Sequence, residues 1–218
     1  MQFLHTLWSV LFPDTCVGCR SRDALLCGAC LQKLVPASSS EEPYMMSAYS
    51  YKDSRVRQLI RILKYKKMRH AADVFAPALA GLLTEFLGEE RLFIGGRVLL
   101  VPVPISRSRY RERGYNQAES LARATFSRLP KETVRFCSVE TTLLEKYIDT
   151  TPQAKIKTRA ERLAHLGDCF RVRPEHMPAG ETIVLIDDVI TTGATIRVAR
   201  QALLRAGFRS VYALSVAH

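Results

Sequence analysis

Residues 183–195 read IVLIDDVITTGAT, and this stretch decides the fold. Apolar residues lead into Asp187 and Asp188, and a turn of small and hydroxylated residues follows. We predict a buried strand over 182–186 and a helix over 195–206 that Gly207 ends. In a parallel α/β sheet, ligands bind beyond the carboxyl ends of the strands, and the two acids are predicted to lie there.

The turn at 191–195 has the chemistry of a phosphate site. Its backbone N–H groups would point toward one centre, the helix dipole favours an anion, and the threonine hydroxyls add donors. Gly193 would let the backbone approach a ligand closely. The adjacent carboxylates suit sugar hydroxyls, or Mg²⁺ held through waters. The stretch predicts a site for a phosphorylated sugar; the alternative is an ordinary strand–turn–helix with two exposed acids.

The rest of the chain alternates between strand and helix patterns. Helices are predicted at 53–70, 71–87 and 116–129, and strands at 98–104, 133–139 and 210–216. Residues 145–167 are polar and weakly patterned, and we expect a long loop with a helical tail there. The alternation predicts an α/β domain with a mainly parallel sheet flanked by helices.

Length and composition limit the possible functions. The chain has 218 residues, of which 47% are hydrophobic, and its net charge is +11. A packed core is feasible, wholesale disorder is not expected, and the charge suggests polyanionic partners. The apolar N-terminus, residues 1–13, is shorter than the ~20 residues that span a bilayer and lacks signal-peptide features. We predict a short helix there, no membrane span and a cytoplasmic location.

Four of the six cysteines form one cluster of two C-x-x-C pairs separated by seven residues: Cys16, Cys19, Cys27 and Cys30. This spacing predicts a closed tetrahedral site for structural zinc. Two disulfides or a redox pair are the alternatives, and the cytosol disfavours disulfides. We expect positive φ at Gly18 and Gly28 inside the pairs. Cys137 and Cys169 are predicted to be small buried hydrophobes.

The segment PASSSEEP at 36–43 reads as a linker. It predicts an N-terminal apolar segment and zinc module over 1–36, a linker and lead-in over 37–50, and the α/β domain over 51–218.

The motif at 183–195 closely resembles the phosphoribosyl pyrophosphate (PRPP) motif of type I phosphoribosyltransferases. The resemblance implies that Thr191, Thr192, Gly193, Ala194 and Thr195 bind the 5′-phosphate. It also implies that the catalytic acids Asp187 and Asp188 serve the ribose hydroxyls. Relatives that act on 6-oxopurines often carry Asp at the first position of the loop, and Thr191 disfavours that specificity.

The whole chain looks like the ComF family, in which a zinc module precedes a phosphoribosyltransferase-like domain and which is associated with competence and DNA uptake. The matching pieces include FPDTCVGC at 12–19, LIRILKYKK at 59–67 and VPVPISRSRYRERGYNQA at 101–118. The chain departs from the family at His165, where Asn is usual, and we assign that residue no role.

By this resemblance, residues 101–117 face the pyrophosphate. Arginines alternate along SRSRYRERG at 106–114, so in an extended loop they would share one side. Arg109 and Arg113 are our candidates for pyrophosphate, because Arg binds phosphate oxygens in a bidentate manner. A solvated basic loop is the alternative.

The predicted helix at 53–70 carries apolar residues on one face and basic residues on the other. Aromatic and cationic residues mix at its end, which suits single-stranded nucleic acid. The candidate contacts are Arg61, Lys64, Lys66 and Lys67. Tyr65, which lies among them, is as well explained as a half-buried core residue.

Two functions follow from these expectations. The first is a competence protein that binds single-stranded DNA and PRPP with Mg²⁺ and that works with the proteins of the uptake machinery. The second is an active phosphoribosyltransferase with an unidentified acceptor. A PRPP sensor is a third reading, which the sequence does not separate from the first.

Overall fold

The computed structural model describes residues 15–22, 24–65, 68–89, 96–147, 169–176 and 178–218. The predictions for the N-terminal helix, for Lys66, Lys67 and His165, and for most of the loop at 145–167 lie outside these residues.

The centre of the described fold is a five-stranded sheet in which all neighbouring strands run parallel. Its strands are β1 (Met45–Tyr49), β2 (Val98–Pro102), β3 (Cys137–Val139), β6 (Thr182–Val189) and β7 (Ser210–Ala217), in the spatial order β1-β7-β6-β2-β3. Strands β4 (Leu144–Lys146) and β5 (Phe170–Val172) form a separate antiparallel pair. The predicted α/β class is confirmed.

Helices flank the sheet on both sides. They are α1 (Gly28–Leu31), α2 (Ser54–Tyr65), α3 (Ala71–Glu89), α4 (Arg107–Arg113), α5 (Gln117–Ser127), α6 (Lys131–Val134) and α7 (Ala194–Arg205). Asn116 caps α5, because its Oδ1 accepts a hydrogen bond from the N–H of Ala118 at 3.0 Å. Gly207, which has φ +98°, follows α7 as predicted.

The basic segment at 106–114 is a helix rather than the predicted extended loop. Ser106 caps its start by accepting a hydrogen bond from the N–H of Arg109 at 3.3 Å. Gly114 ends it in the left-handed region, at φ 77°. Alternating arginines therefore do not share one side, because side chains two apart lie on different faces of a helix.

Strand β6 separates two apolar clusters. Val184 and Ile186 pack with the helices α2, α3 and α5 on one face of the sheet. Ile183 and Leu185 pack with α7 and with the β4–β5 pair on the other face. The strand reads as an uninterrupted apolar run because both of its faces are buried.

The segment assigned to the linker and lead-in contains a strand of the main sheet. β1 pairs with β7, with Met45 opposite Ala213. The cysteine module is also continuous with the core, since Leu25, Leu26 and Leu34 belong to the same apolar cluster as α2 and α3. The module is thus packed onto the α/β domain rather than tethered to it.

Within the described ranges, α3 is the helix that is long and apolar enough to cross a membrane by length and composition. Phe75, Leu79 and Leu83 on this helix are fully buried in the protein core. Core helices of this kind pass the same test, so the finding is weak evidence for a span.

Candidate functional site

Asp187 and Asp188 lie inside β6, at its carboxyl end, rather than beyond it. Side chains alternate along a strand, so adjacent acids face opposite sides of the sheet. Asp188 shares the face of Ile186, toward α2, and Asp187 shares the face of Leu185, toward the β4–β5 pair. The two carboxylates therefore have different neighbours.

Asp188 is nearly buried, with 3% of its surface exposed, and it forms an ion pair with α2. Its Oδ1 lies 2.9 Å from Nζ of Lys64. Its Oδ2 is buried and has no hydrogen-bond partner among the described residues. A buried carboxylate oxygen without a partner is unfavourable unless a ligand or ion satisfies it. The unpartnered oxygen of Asp188 therefore fits a divalent cation, which prefers carboxylate ligands.

Asp187 has an unusual electrostatic environment. Burial and the negative charge of Asp188 raise the pKa of Asp187 to about 7. The N–H of Asp188, which donates to Asp187 Oδ1 at 2.8 Å, and the ammonium groups of Lys64 and Lys146 act in the opposite direction. In the ligand-free site, burial and mutual repulsion make two ionised carboxylates unfavourable. A bound cation would lower this electrostatic free energy.

The turn after β6 has the geometry predicted for an anion site. Gly193 is in the left-handed region, at φ 70°, and is the N-cap of α7. No described residue accepts a hydrogen bond from the N–H groups of Thr191, Thr192 or Gly193. These donors are therefore available to a phosphate at the positive end of the α7 dipole.

A side chain at position 193 would also crowd two neighbouring side chains. A β-carbon there would lie 3.0 Å from Cε of Met45 and 3.0 Å from Nη1 of Arg197. Met45 belongs to β1, the edge strand that the sequence did not predict. This strand therefore packs close to the turn. The close approach of the backbone to a ligand at Gly193 stays a prediction.

The two candidate arginines occupy different environments on α4. Arg109 is exposed and lines the cavity at the acids. Arg113 is 94% buried; its guanidinium lies 5.1 Å from the ring centroid of Tyr65 and donates to Gln117 Oε1 at 2.8 Å. Its Nε has no partner among the described residues. For Arg113, a solvated basic loop is therefore the wrong interpretation.

A cavity of about 240 Å³ brings these groups together. It is lined by both acids, by Thr191 and Thr195, and by four cations: Lys64, Arg109, Arg113 and Lys146. Of the other residues of the predicted loop, Thr192 and Gly193 complete the turn and Ala194 begins α7. The cavity thus combines a turn with open N–H donors, two carboxylates and four cationic side chains.

Sequence reasoning missed two residues of this cavity, Lys146 and Tyr51. Lys146 ends β4, and its Nζ lies 5.4 Å from the ring centroid of Phe170 on β5. The short β4–β5 pair has no clear periodicity, so no local signal identified this lysine. Tyr51 follows the edge strand β1, which was itself absent from the prediction.

The candidate nucleic-acid contacts do not form one surface. Lys64 points into the cavity and pairs with Asp188, whereas Arg61 is exposed on the outer face of α2. Lys66 and Lys67 lie outside the described residues. Tyr65 is 58% exposed, so it is not a half-buried core residue.

The four clustered cysteines are arranged as a metal site. Their Sγ atoms all lie within 4.8 Å of one another. Zn–S bonds of about 2.3 Å in a tetrahedron place sulfurs about 3.8 Å apart, so the cluster is compatible with structural zinc. Four thiols this close cannot all ionise without a cation, because neighbouring thiolates repel. The hydrogen bond with the Cys27 side chain and burial raise the pKa of Cys30 to about 12.

Backbone N–H groups stabilise the thiolate form of one cysteine of the cluster, Cys16. Burial alone raises the pKa of the Cys16 thiol, but N–H groups of Cys27, Cys19 and Gly18 lower it to about 6. The N–H groups of Gly18 and Cys27 both lie 3.4 Å from Cys16 Sγ. Cys137 and Cys169 are buried as predicted.

The predicted positive φ at Gly18 and Gly28 is wrong. Among the described residues, positive φ in this region falls on Arg20, at 64°. Gly18 has another role: a β-carbon there would lie 2.6 Å from Cys30 Sγ. Its absent side chain makes room for a ligand sulfur.

Comparison with known proteins supports the same interpretation. Residues 115–217 match the phosphoribosyl transferase domain family. Competence protein ComFC of Bacillus subtilis is 30% identical over 161 residues, 74% of this chain. DNA utilization protein YhgH of Escherichia coli K12 is 29% identical over 190 residues, 86% of this chain. The chain is a homologue of ComFC and YhgH. The resemblance to the ComF family is confirmed.

These matches cover the relatives unequally. The aligned part is 58% of B. subtilis ComFC and 75% of E. coli YhgH. ComFC of Streptococcus pneumoniae is 35% identical over 117 residues, which are 46% of that protein. The chain thus spans less than two thirds of the ComFC proteins that it matches. The matched domain starts at Tyr115, yet β1 and β2 of the sheet lie before it.

Proposed function

We propose that this protein binds PRPP together with Mg²⁺ in the cavity at the carboxyl end of β6. One observation carries the proposal: the paired acids, the open phosphate turn and four cations line a single cavity. The turn at 191–195 would take the 5′-phosphate, and Arg109 and Arg113 the pyrophosphate. Asp187 and Asp188 would hold the cation and the ribose hydroxyls, and the cation would neutralise the pyrophosphate.

Phosphorus NMR tests this proposal. PRPP with protein and Mg²⁺ should show broadened and shifted phosphate resonances, and Asp188→Asn should lose the effect. Glu132→Gln, which removes an exposed carboxylate outside the cavity, is the control. Resonances unchanged by the wild-type protein at high concentration would refute PRPP binding.

The biological role that we propose is DNA uptake in natural transformation, in the cytoplasm and in contact with uptake machinery. The similarity of this chain to the competence protein ComFC and to the DNA utilization protein YhgH supports this role.

Exposed residues of α4, the helix beside the cavity, suit single-stranded DNA. Tyr110 is 53% exposed, and Arg109, which lines the cavity, is exposed on the same helix. Aromatic rings stack on bases while arginines bind phosphates. Tyr110→Ala should weaken binding of an oligothymidine, whereas Tyr147→Ala, another exposed tyrosine, should not. Affinity that does not fall with rising salt would refute this contact, because counterion release dominates such binding.

Phosphoribosyl transfer is the second candidate. The β4–β5 pair places Lys146 in the cavity, opposite α2, so the bound ligand would be enclosed from both faces of the sheet. An acceptor would attack C1 of the ribose while pyrophosphate leaves, and the cations of the cavity would stabilise the departing charge. Pyrophosphate that accumulates only with one added nucleobase or oligonucleotide, and not with Asp187→Asn, would establish transfer.

A further inference from the structure

Lys64 forms an ion pair with Asp188, one of the two acids that we propose to bind the metal. Its Nζ lies 2.9 Å from Asp188 Oδ1, and the exposed fractions of the two side chains are 23% and 5%. A buried carboxylate requires a compensating charge. In the ligand-free protein, the lysine supplies it.

This position gives Lys64 opposite effects on the two components of the ligand. A divalent cation that approaches Asp188 meets the ammonium group already there, and like charges repel. A polyphosphate that approaches the same cavity is attracted by it. We propose that Lys64 is a resident counter-ion that weakens binding of free divalent cation and strengthens binding of the phosphorylated ligand. The inference rests on the proposed binding of PRPP.

The consequence is a preferred order of binding. Free Mg²⁺ would occupy the acids poorly, and PRPP, alone or as its magnesium complex, would enter first. The anionic ligand would then draw the Lys64 ammonium toward its phosphates and release Asp188 to the cation. Lys64 is therefore a positioning residue that sets the metal dependence of the site.

The end of α2 is held by contacts other than this ion pair. The Tyr115 hydroxyl donates a hydrogen bond to the carbonyl of Leu63, and the Tyr65 ring lies against Arg113. Leu59 and Leu63 are fully buried. Replacing the Lys64 ammonium by a methyl thioether should therefore leave the helix in place.

The test compares Lys64→Met with Lys131→Met, which removes an exposed lysine outside the cavity. Binding of Mn²⁺ to the ligand-free protein is measured by electron paramagnetic resonance of the free ion. Binding of PRPP without added metal is measured by calorimetry in buffer freed of divalent cations by a chelating resin, which leaves the structural zinc in the protein. Lys64→Met should bind Mn²⁺ about tenfold more tightly and metal-free PRPP about tenfold more weakly, because one nearby unit charge is lost. Lys64→Arg should restore the wild-type values in part.

The outcomes separate the explanations. Changes of opposite sign in the two affinities support the resident counter-ion. A structural role would weaken both, and a generic charge effect would make Lys64→Met equal to Lys131→Met; either result overturns the inference. If the wild-type protein binds no PRPP even with Mg²⁺, the proposed function fails, and the Mn²⁺ measurement still decides whether Lys64 opposes the metal.

Discussion

Gly18 lies so close to Cys30 that a β-carbon on the glycine would come within 2.6 Å of the Cys30 sulfur. Gly28, in the other C-x-x-C pair, has no atom within 4 Å of the corresponding position. Two glycines that look equivalent in the sequence therefore have different structural roles.

Gly18→Ala should lose zinc, because the new methyl group would displace a ligand sulfur from the cluster. Gly28→Ala is the matched control and should retain the metal, since Gly28 lies at the start of a helical turn with open space around it. Zinc content after dialysis, together with the melting temperature, measures both effects. Equal zinc content in the two variants would contradict this role for Gly18.

Asp53→Asn should loosen the cysteine module from the domain. Asp53 Oδ2 lies 2.6 Å from the Arg55 Nη2, and it accepts a hydrogen bond from the N–H of Val35 at 3.2 Å. The Arg55 guanidinium also donates to the carbonyl of Lys33. The hydrogen bonds that Asp53 accepts lower its pKa to about 2, chiefly the bond from the side chain of Arg55. The loss should be about 2 kcal/mol of unfolding free energy.

The pH dependence of this effect follows from the direction of the shift. A lowered pKa stabilises the fold above the ordinary value of 3.8, and the contribution is lost as the pH falls through about 2. The deficit of Asp53→Asn in urea unfolding should therefore be the same at about pH 5.5 and at about pH 7.5. Glu41→Gln, an exposed carboxylate, is the control, and a deficit no larger than that of the control would exclude the proposed attachment.

Strong local patterns made most of the core predictable. The apolar run before Asp187, the helical periodicity of α2 and the two C-x-x-C pairs each identified their element. Each of these signals lies within about a dozen residues. The cluster of cysteines also predicted its own metal chemistry, since ligand spacing is a local property.

The rest depended on contacts between distant segments. Strand β1 is stabilised by pairing with β7, more than 160 residues later, as the bond between Ser47 and Ser215 at 2.7 Å shows. Lys64 was predicted to contact nucleic acid, and only the packing of α2 against β6 brings its ammonium group to Asp188. The α4 helix was not predicted, because the alternating arginines were interpreted as an extended loop. Ser106 and Gly114, which cap the helix, were not used as helix signals.

Asp187→Asn should stabilise the ligand-free protein at alkaline pH. Burial and Asp188 raise the pKa of Asp187 to about 7, so the folded state holds this proton more tightly than the unfolded chain does. That contribution is complete below the ordinary value of 3.8 and is lost as the pH rises through about 7. An amide avoids the loss, so the variant should exceed the wild type at about pH 8 by at least about 1 kcal/mol.

Urea unfolding without added divalent cation, at about pH 5 and pH 8, measures this difference. The wild type should lose stability between the two values, and Asp187→Asn should lose less. Glu132→Gln should follow the wild type. The same Asp187 variant should bind Mg²⁺–PRPP poorly, so stability and ligand binding would change in opposite directions. Identical pH slopes for the wild type and Asp187→Asn would contradict the raised pKa.

Arg109→Gln should weaken PRPP binding by about tenfold, because it removes one guanidinium from the wall of the cavity. Arg111→Gln is the matched control: it lies on the same helix, carries the same charge, and is exposed outside the cavity. Arg113 is unsuitable for this comparison, since it is buried between Tyr65 and Gln117 and its loss would disturb α2. Calorimetric titration with PRPP and Mg²⁺ at two salt concentrations distinguishes contact from general charge. If both variants weaken binding equally and salt removes the difference from wild type, Arg109 acts only through the net charge of α4.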